Sequence, residues 1–276
     1  MYTILKKQVL SPQVKLMMID APLIAKKAMP GQFIILRVSE NGERIPLTIA
    51  DYDREAGTVT IIFQEVGKTT MELGMLNEGD SLHDFVGPLG KPSHFDSSVK
   101  KAAVIGGGLG TAIAYPQAKM LHSMGVSVTS IIGFRNEELI LLEKEVGAVS
   151  DKLLVMTDDG SNGNKGFVTD ALKAEIEAGE KFDVVIAIGP LIMMKFVSKL
   201  TKEYGIKTIV SMNPIMIDGT GMCGGCRVTV GGKTQFACVD GPDFDGHEVD
   251  FDEAIRRSGM YKKQEGDSCN LFKGVK

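Results

Sequence analysis

At 276 residues the chain is too long for one ordinary core and long enough for two modest domains with a short appended module. Its 43% hydrophobic and 24% charged residues are those of an ordinary globular protein, and a net charge of -4 argues against nucleic acid, which calls for a basic face. No apolar run is long enough to span a membrane, and the opening MYTILKKQVL lacks the apolar core and cleavage site of a signal peptide, so a cytoplasmic protein with no membrane role is expected.

In chain order, the runs VKLMMID, GQFIILRV, IPLTIADY, TVTIIFQEVG and DSLHDFVGP alternate with turn signals at Pro30-Gly31, Asn41-Gly42 and Pro88. Short strands at this spacing predict a small antiparallel β-barrel or sandwich over residues 1–97, with one helical turn at Thr69–Leu76. SSVKK at 97–101 marks a boundary. The runs KAAVIGGGLG, VSVTSIIGF, KLLVMTD, FDVVIAIGP and KTIVSM are then separated by helix-length segments, which predicts an α/β domain with a parallel sheet over 98–210. From about 211 to 276 the chain becomes glycine-rich and loses periodicity, as a loop module wrapped around a metal would.

VIGGGLGTAIAYPQAK runs from an apolar strand through Gly106, Gly107, Gly108 and Gly110 into a helix. Glycines there admit a pyrophosphate close to the backbone, and the helix N-terminus offers free N–H groups to its charge. Thr111 stands where the strict dinucleotide fingerprint has its third glycine, so a plain strand–helix turn remains an alternative. Asp158 and Asp159 follow a later strand, and Gly189-Pro190 follow another with Met193 close behind. Ligands of open α/β sheets bind outside the carboxyl ends of the strands, where these segments converge. Carboxylates there accept ribose hydroxyls and repel a 2′-phosphate, which favours NAD(H) over NADP(H). Solvent-exposed turn acids are the plainer reading of Asp158 and Asp159.

Three of the four cysteines fall in DGTGMCGGCRVTVGGKTQFACVDG, as Cys223, Cys226 and Cys238. A four-thiolate centre needs one more ligand, and Cys269 lies far downstream. Tetrahedral zinc completed by His247 or an aspartate fits this spacing, and so does an iron–sulfur cluster.

The ordered set PGQF (30–33), RIPLTIAD (44–51), VGKTTMEL (66–73), GPLGKP (87–92), GGGLGTA (106–112), TDDGS (157–161), GPLIMMK (189–195) and the cysteine stretch, followed by VDGPDFDGHEVDF (239–251), spans nearly the whole chain. It resembles the ferredoxin–NADP reductase superfamily and its dihydroorotate dehydrogenase electron-transfer subunits. It is more similar still to the small (alpha) subunits of electron-bifurcating NADH-dependent reduced ferredoxin:NADP oxidoreductases. The resemblance implies FAD in the barrel, lined by Arg44, Pro46, Leu47, Thr48, Ile49 and Ala50, with the Thr48 hydroxyl near the reactive flavin nitrogen. It implies that Gly67, Lys68, Thr69 and Thr70 cradle the FAD pyrophosphate. Leu47 replaces the family's aromatic, and Arg44 sits one position earlier than the family's arginine.

In the related subunits a further cysteine precedes the C-x2-C pair with four residues between them, and here that position is Asp218. The resemblance therefore implies a [2Fe-2S] cluster on Asp218, Cys223, Cys226 and Cys238; a carboxylate is a harder ligand than a thiolate but an anionic one. It also implies a heterodimer with a larger flavin- and iron–sulfur-bearing subunit, with NADH used by this chain and ferredoxin and NADP used through the partner. Electron-transfer subunits of dihydroorotate dehydrogenase, glutamate synthase or sulfide dehydrogenase share the pattern. A zinc-stabilised nucleotide-binding regulator is the alternative of a different class.

Overall fold

The computed structural model describes residues 2–274. Strand β1 (Tyr2–Ser11) turns back into β2 (Val14–Asp20), and a single helical turn, α1 (Pro22–Ala25), leads to β3 (Phe33–Arg37), β4 (Ile45–Asp53) and β5 (Thr58–Gln64). Helix α2 (Lys68–Met75) precedes the short β6 (Ser81–Leu82) and β7 (Asp84–Leu89). These strands form one antiparallel sheet in the order β6-β1-β2-β5-β4-β3-β7 that curls into a nearly closed barrel. Its wall alternates as a half-buried sheet should: along β2, Met17 and Ile19 are buried while Leu16, Met18 and Asp20 are less so. Ile4, Ile34, Leu36, Ile49, Ile61 and Phe63 fill the interior.

The second sheet begins at β8 (Lys101–Gly107) and continues through α3 (Gly110–Ser123), β9 (Ser127–Phe134), α4 (Glu143–Ala148) and β10 (Lys152–Thr157). After α5 (Val168–Glu177) come β11 (Val184–Ile188), α6 (Leu191–Glu203) and β12 (Thr208–Ser211). The order β10-β9-β8-β11-β12 is parallel throughout, so the chain reverses its direction of winding between β8 and β11. Helices on both faces explain the nearly unbroken apolar run of β8 and of β11, which has no polar side to show.

The last segment is more regular than its composition suggests. RVTV and KTQF pair across Gly231-Gly232 as a hairpin, β13 (Arg227–Val230) and β14 (Lys233–Phe236). Strand β15 (Asp243–Asp245) then joins the second sheet antiparallel to β12, and α7 (Phe251–Ser258) and α8 (Lys262–Phe272) follow. Phe33 and Ile35 of the barrel, Val185 and Ala187 of the second sheet, and Cys226, Val228 and Cys238 share one core. Among the described residues no helix is long and apolar enough to cross a membrane.

Where these parts meet, a buried carboxyl clamps them. Asp243 takes a hydrogen bond from Ser93 Oγ of the barrel's exit segment (2.5 Å) and a longer one from Gln117 Nε2 of α3 (3.4 Å), and it stands opposite Ser211 of β12 in the sheet. Burial pushes this carboxyl above its ordinary range despite those donors. A raised native value means its stabilising contribution is complete below about pH 4, where the unfolded carboxyl titrates, and is lost as pH rises through the native value. Asp243→Asn keeps the shape without the ionisation. The parent should therefore lose more melting temperature than this variant between mildly acidic and mildly alkaline buffer; identical pH slopes would refute the assignment.

Candidate functional site

A cleft of about 1110 Å³ opens between barrel and second sheet. Pro46, Leu47 and Thr48 of β4 form its barrel wall. The opposite wall is made by the carboxyl ends of the parallel strands: Gly107 and Gly108 at the end of β8, Phe134 and Arg135 at the end of β9, Asp158 after β10, and Gly189 and Pro190 after β11. Asn213, Pro214 and Met216, following β12, complete the wall on the side of the cysteine loop. The cleft thus lies at the switch between β8 and β11, where an open α/β sheet receives ligands.

The glycine turns are closely fitted to one another. A Cβ on Gly189 would stand 3.1 Å from the backbone of Gly107 and 2.9 Å from Met193 Cε. Gly106 abuts the helix instead, since its Cβ would lie 2.7 Å from Thr111 Cα. Gly110 lines the cleft, whereas Thr111 is fully buried behind it. Neither α3 nor α6 has a side chain capping its first N–H groups or an acid in its first turn. Two uncapped helix starts facing one cleft fit an anionic diphosphate.

Of the two acids after β10, only Asp158 lines the cleft. Asp159 accepts from the Ser161 hydroxyl (2.7 Å) and backbone N–H (2.9 Å), which hold its carboxyl below the usual range, so it shapes the turn. The sequence motifs do not single out Arg135, although it follows a strand end by the same logic; among the described residues it is the one basic residue lining the cleft, as Asp158 is the one acidic residue.

Ser11, Val14, Phe33 and Ile62 of the barrel also line the cleft, whereas the other barrel residues expected at the flavin do not. Ile49 points into the barrel core, and Ala50 packs between barrel and second sheet beside Ala112 and Ile132. Gly67, Lys68, Thr69 and Thr70 open α2: Thr70 Oγ1 accepts from Gly67 N (3.0 Å), Lys68 pairs with Glu72 (3.7 Å), and Thr69 Oγ1 donates to Glu43 (2.7 Å). A phosphate on Thr69 requires Glu43 to release that hydroxyl. Arg44 turns the other way, donating from Nε to the carbonyl of Ile217 at 2.9 Å.

That carbonyl belongs to the cysteine loop. The next residue, Asp218, accepts three backbone N–H groups: Thr220 on Oδ1 (3.0 Å), and Met222 (3.0 Å) and Cys223 (2.8 Å) on Oδ2. Burial raises this carboxyl, but the N–H groups outweigh it and hold the group ionised below its ordinary range. A carboxylate has about four lone-pair sites, so Oδ1 keeps one for a metal. Cys226 and Cys238 form the other half of the loop, buried with their sulfurs 3.1 Å apart. Burial, with the neighbouring Cys226 thiol, pushes Cys238 up to about 12, so a bare thiolate is disfavoured and a bound cation must drive its deprotonation.

The loop is seated on the barrel. Gly219 has φ +76, and a Cβ there would stand 2.7 Å from Leu89 of β7 and 2.8 Å from Ile35 of β3. Only glycine combines that backbone with that contact. His247, weighed above as a zinc ligand, instead places Nε2 3.1 Å from Thr201 Oγ1 on α6. Cys269 lies on α8, which packs against α2 of the barrel.

Residues 213–250 match the family described as the iron–sulfur cluster binding domain of dihydroorotate dehydrogenase B. The chain is 47% identical over 269 residues to the dihydroorotate dehydrogenase B (NAD(+)) electron transfer subunit homolog of Thermotoga maritima, covering 98% of this chain and 94% of that one. It belongs to the dihydroorotate dehydrogenase B electron-transfer subunit family. Another member, the electron transfer subunit from Geobacillus thermodenitrificans, is 32% identical over 255 residues, covering 90% of this chain and 96% of its own. A solved structure of NADH-dependent reduced ferredoxin-NADP oxidoreductase, described for flavin-based electron bifurcation, superposes on this electron-transfer subunit with a TM-score of 0.93. It is 46% identical and covers 99% of this chain and 98% of that one. The subunit is thus part of an oxidoreductase, and its cysteine loop falls in an iron–sulfur binding domain rather than a zinc module.

Proposed function

We propose that the chain takes reducing equivalents from NADH onto FAD and passes single electrons through a [2Fe-2S] cluster to a larger flavin- and iron–sulfur-bearing subunit. Within that class we assign it to an electron-bifurcating NADH-dependent reduced ferredoxin:NADP oxidoreductase, with ferredoxin and NADP used through the partner. The observation that carries this reading is continuity: Met216 lines the cleft, and two residues later Asp218 enters a loop seated on β3 and β7, beside the β4 wall. A bound FAD supplies what a nicotinamide and a cluster lack between them, since it exchanges electrons in pairs or singly.

The chain's own residues then divide the work. Thr48 offers a hydroxyl and Leu47 an apolar surface from β4. Gly107, Gly108 and Gly110 let a dinucleotide reach the first N–H groups of α3, while Gly189, Pro190 and Met193 bound it on the far side. Asp158 receives ribose hydroxyls. Asp218, Cys223, Cys226 and Cys238 would hold the cluster.

The electron-transfer role in a dihydroorotate dehydrogenase is the second reading, favoured by the description of the 213–250 family. Purification of the native complex separates the two, because the co-eluting large subunit differs. In either case the isolated protein should release FAD on denaturation and contain iron with matching acid-labile sulfide. FMN in place of FAD, or zinc in place of iron, would overturn the assignment.

A further inference from the structure

Three arginines from separate parts of the chain donate to main-chain carbonyls of the cysteine loop. Arg44, ahead of β4, reaches Ile217 O at 2.9 Å. Arg227, just after Cys226, reaches Gly224 O at 3.3 Å, and Arg257, in the last turn of α7, reaches Gly225 O at 3.1 Å. The first carbonyl adjoins Asp218, and the other two lie between Cys223 and Cys226. Arg44 has an acidic neighbour, Asp84, at 3.6 Å, but Asp84 is held more closely by Arg37 at 2.8 Å. Among the described residues Arg227 and Arg257 form no ion pair with an acid.

A peptide has two ends, and fixing one aims the other. The carbonyl held by Arg227 shares its peptide with Gly225 N–H, which points at Cys223 Sγ at 3.5 Å. A cluster with four anionic protein ligands is already negative, and reduction adds one more electron. Hydrogen bonds to its sulfurs and nearby positive charge both favour the reduced state. Arginine keeps its charge at any working pH.

We propose that Arg44, Arg227 and Arg257 form a cationic collar that positions the cluster loop and raises the cluster's reduction potential. This rests on the reading that Asp218, Cys223, Cys226 and Cys238 hold a [2Fe-2S] cluster. It reassigns Arg44 from the flavin to the cluster, consistent with its displacement by one position from the family's flavin arginine. All three are positioning residues, since they act through peptides and field rather than on iron.

The test is a redox titration of the purified protein followed by electron paramagnetic resonance, on Arg44→Gln, Arg227→Gln, Arg257→Gln and the three lysine counterparts. Each glutamine variant should shift the cluster to a more negative potential and alter its reduced spectrum, with FAD content unchanged. Each lysine variant, which keeps the charge, should lie closer to the parent. Outer-shell losses of this kind weaken metal affinity about ten- to hundredfold, so some loss of iron is also expected. If a glutamine variant holds too little iron to titrate, recovery of iron and potential in its lysine counterpart supports the collar, and no recovery refutes it. Parent-like potentials in all three glutamine variants would overturn the proposal. Loss of FAD from Arg44→Gln with an unmoved cluster would return Arg44 to the flavin. A parent protein with no cluster at all would instead sink the underlying assignment.

Discussion

Cys226→Ala and Cys238→Ala should each strip the protein of nearly all its iron and sulfide while FAD remains bound. Both thiols are buried and paired, so no outside ligand can replace either one, whereas the cleft wall of Pro46, Leu47 and Thr48 belongs to β4 of the barrel. Asp218→Ala should be intermediate, for two separable reasons. It removes the carboxylate lone pair offered to iron, and it leaves the N–H groups of Thr220, Met222 and Cys223 without their acceptor. Asp218→Asn retains an acceptor for the loop but loses the anionic ligand, so it isolates the first effect. Asp218→Cys should keep a cluster with an all-sulfur shell and a shifted spectrum and potential. Cys269→Ala should change nothing. Iron, sulfide and the reduced-state spectrum decide among these. If Asp218→Ala matches the parent while Cys269→Ala loses the cluster, the ligand set is wrong.

NADH should reduce the flavin with kcat/KM about ten- to hundredfold above NADPH, the range one mismatched polar contact commands. Asp158 lines the cleft, and on the proposed reading its carboxylate would welcome ribose hydroxyls and oppose a 2′-phosphate. Arg135 lines the same cleft and pulls the other way, so the two residues set the preference between them. Asp158→Asn should narrow the gap chiefly by improving NADPH, and Asp159→Asn should barely alter it because that side chain is committed to Ser161. Equal use of both nucleotides by the parent would refute the role of Asp158.

Much of this architecture was legible because the relevant signals are local. VKLMMID is β2 residue for residue, and the switch from short barrel runs to β-branched strands between helices marks the change of sheet. The glycine turns and the cysteine spacing are equally local. What escaped the reading depends on distant partners. β1 carries Lys6 and Lys7 and a register shift between Ile4 and Lys6, which breaks the alternation that announces a strand. β15 is three residues long and exists because β12 offers it an edge. The Gly-Gly turn of the β13–β14 hairpin was a readable signal, passed over among so many glycines. The partner of Arg44 lies 173 residues downstream, and no spacing rule reaches that far.

On the proposed reading, one chain joins a two-electron donor to a one-electron carrier. Anaerobic addition of NADH to the purified protein tests it most directly, with flavin absorbance and the reduced-cluster resonance followed on the same samples. In the parent, the flavin should bleach and the cluster signal should rise with it; in Cys226→Ala, bleaching should persist without any cluster signal. An intact cluster that stays oxidised while the flavin is fully reduced, or one that NADH reduces in protein depleted of FAD, would contradict the account.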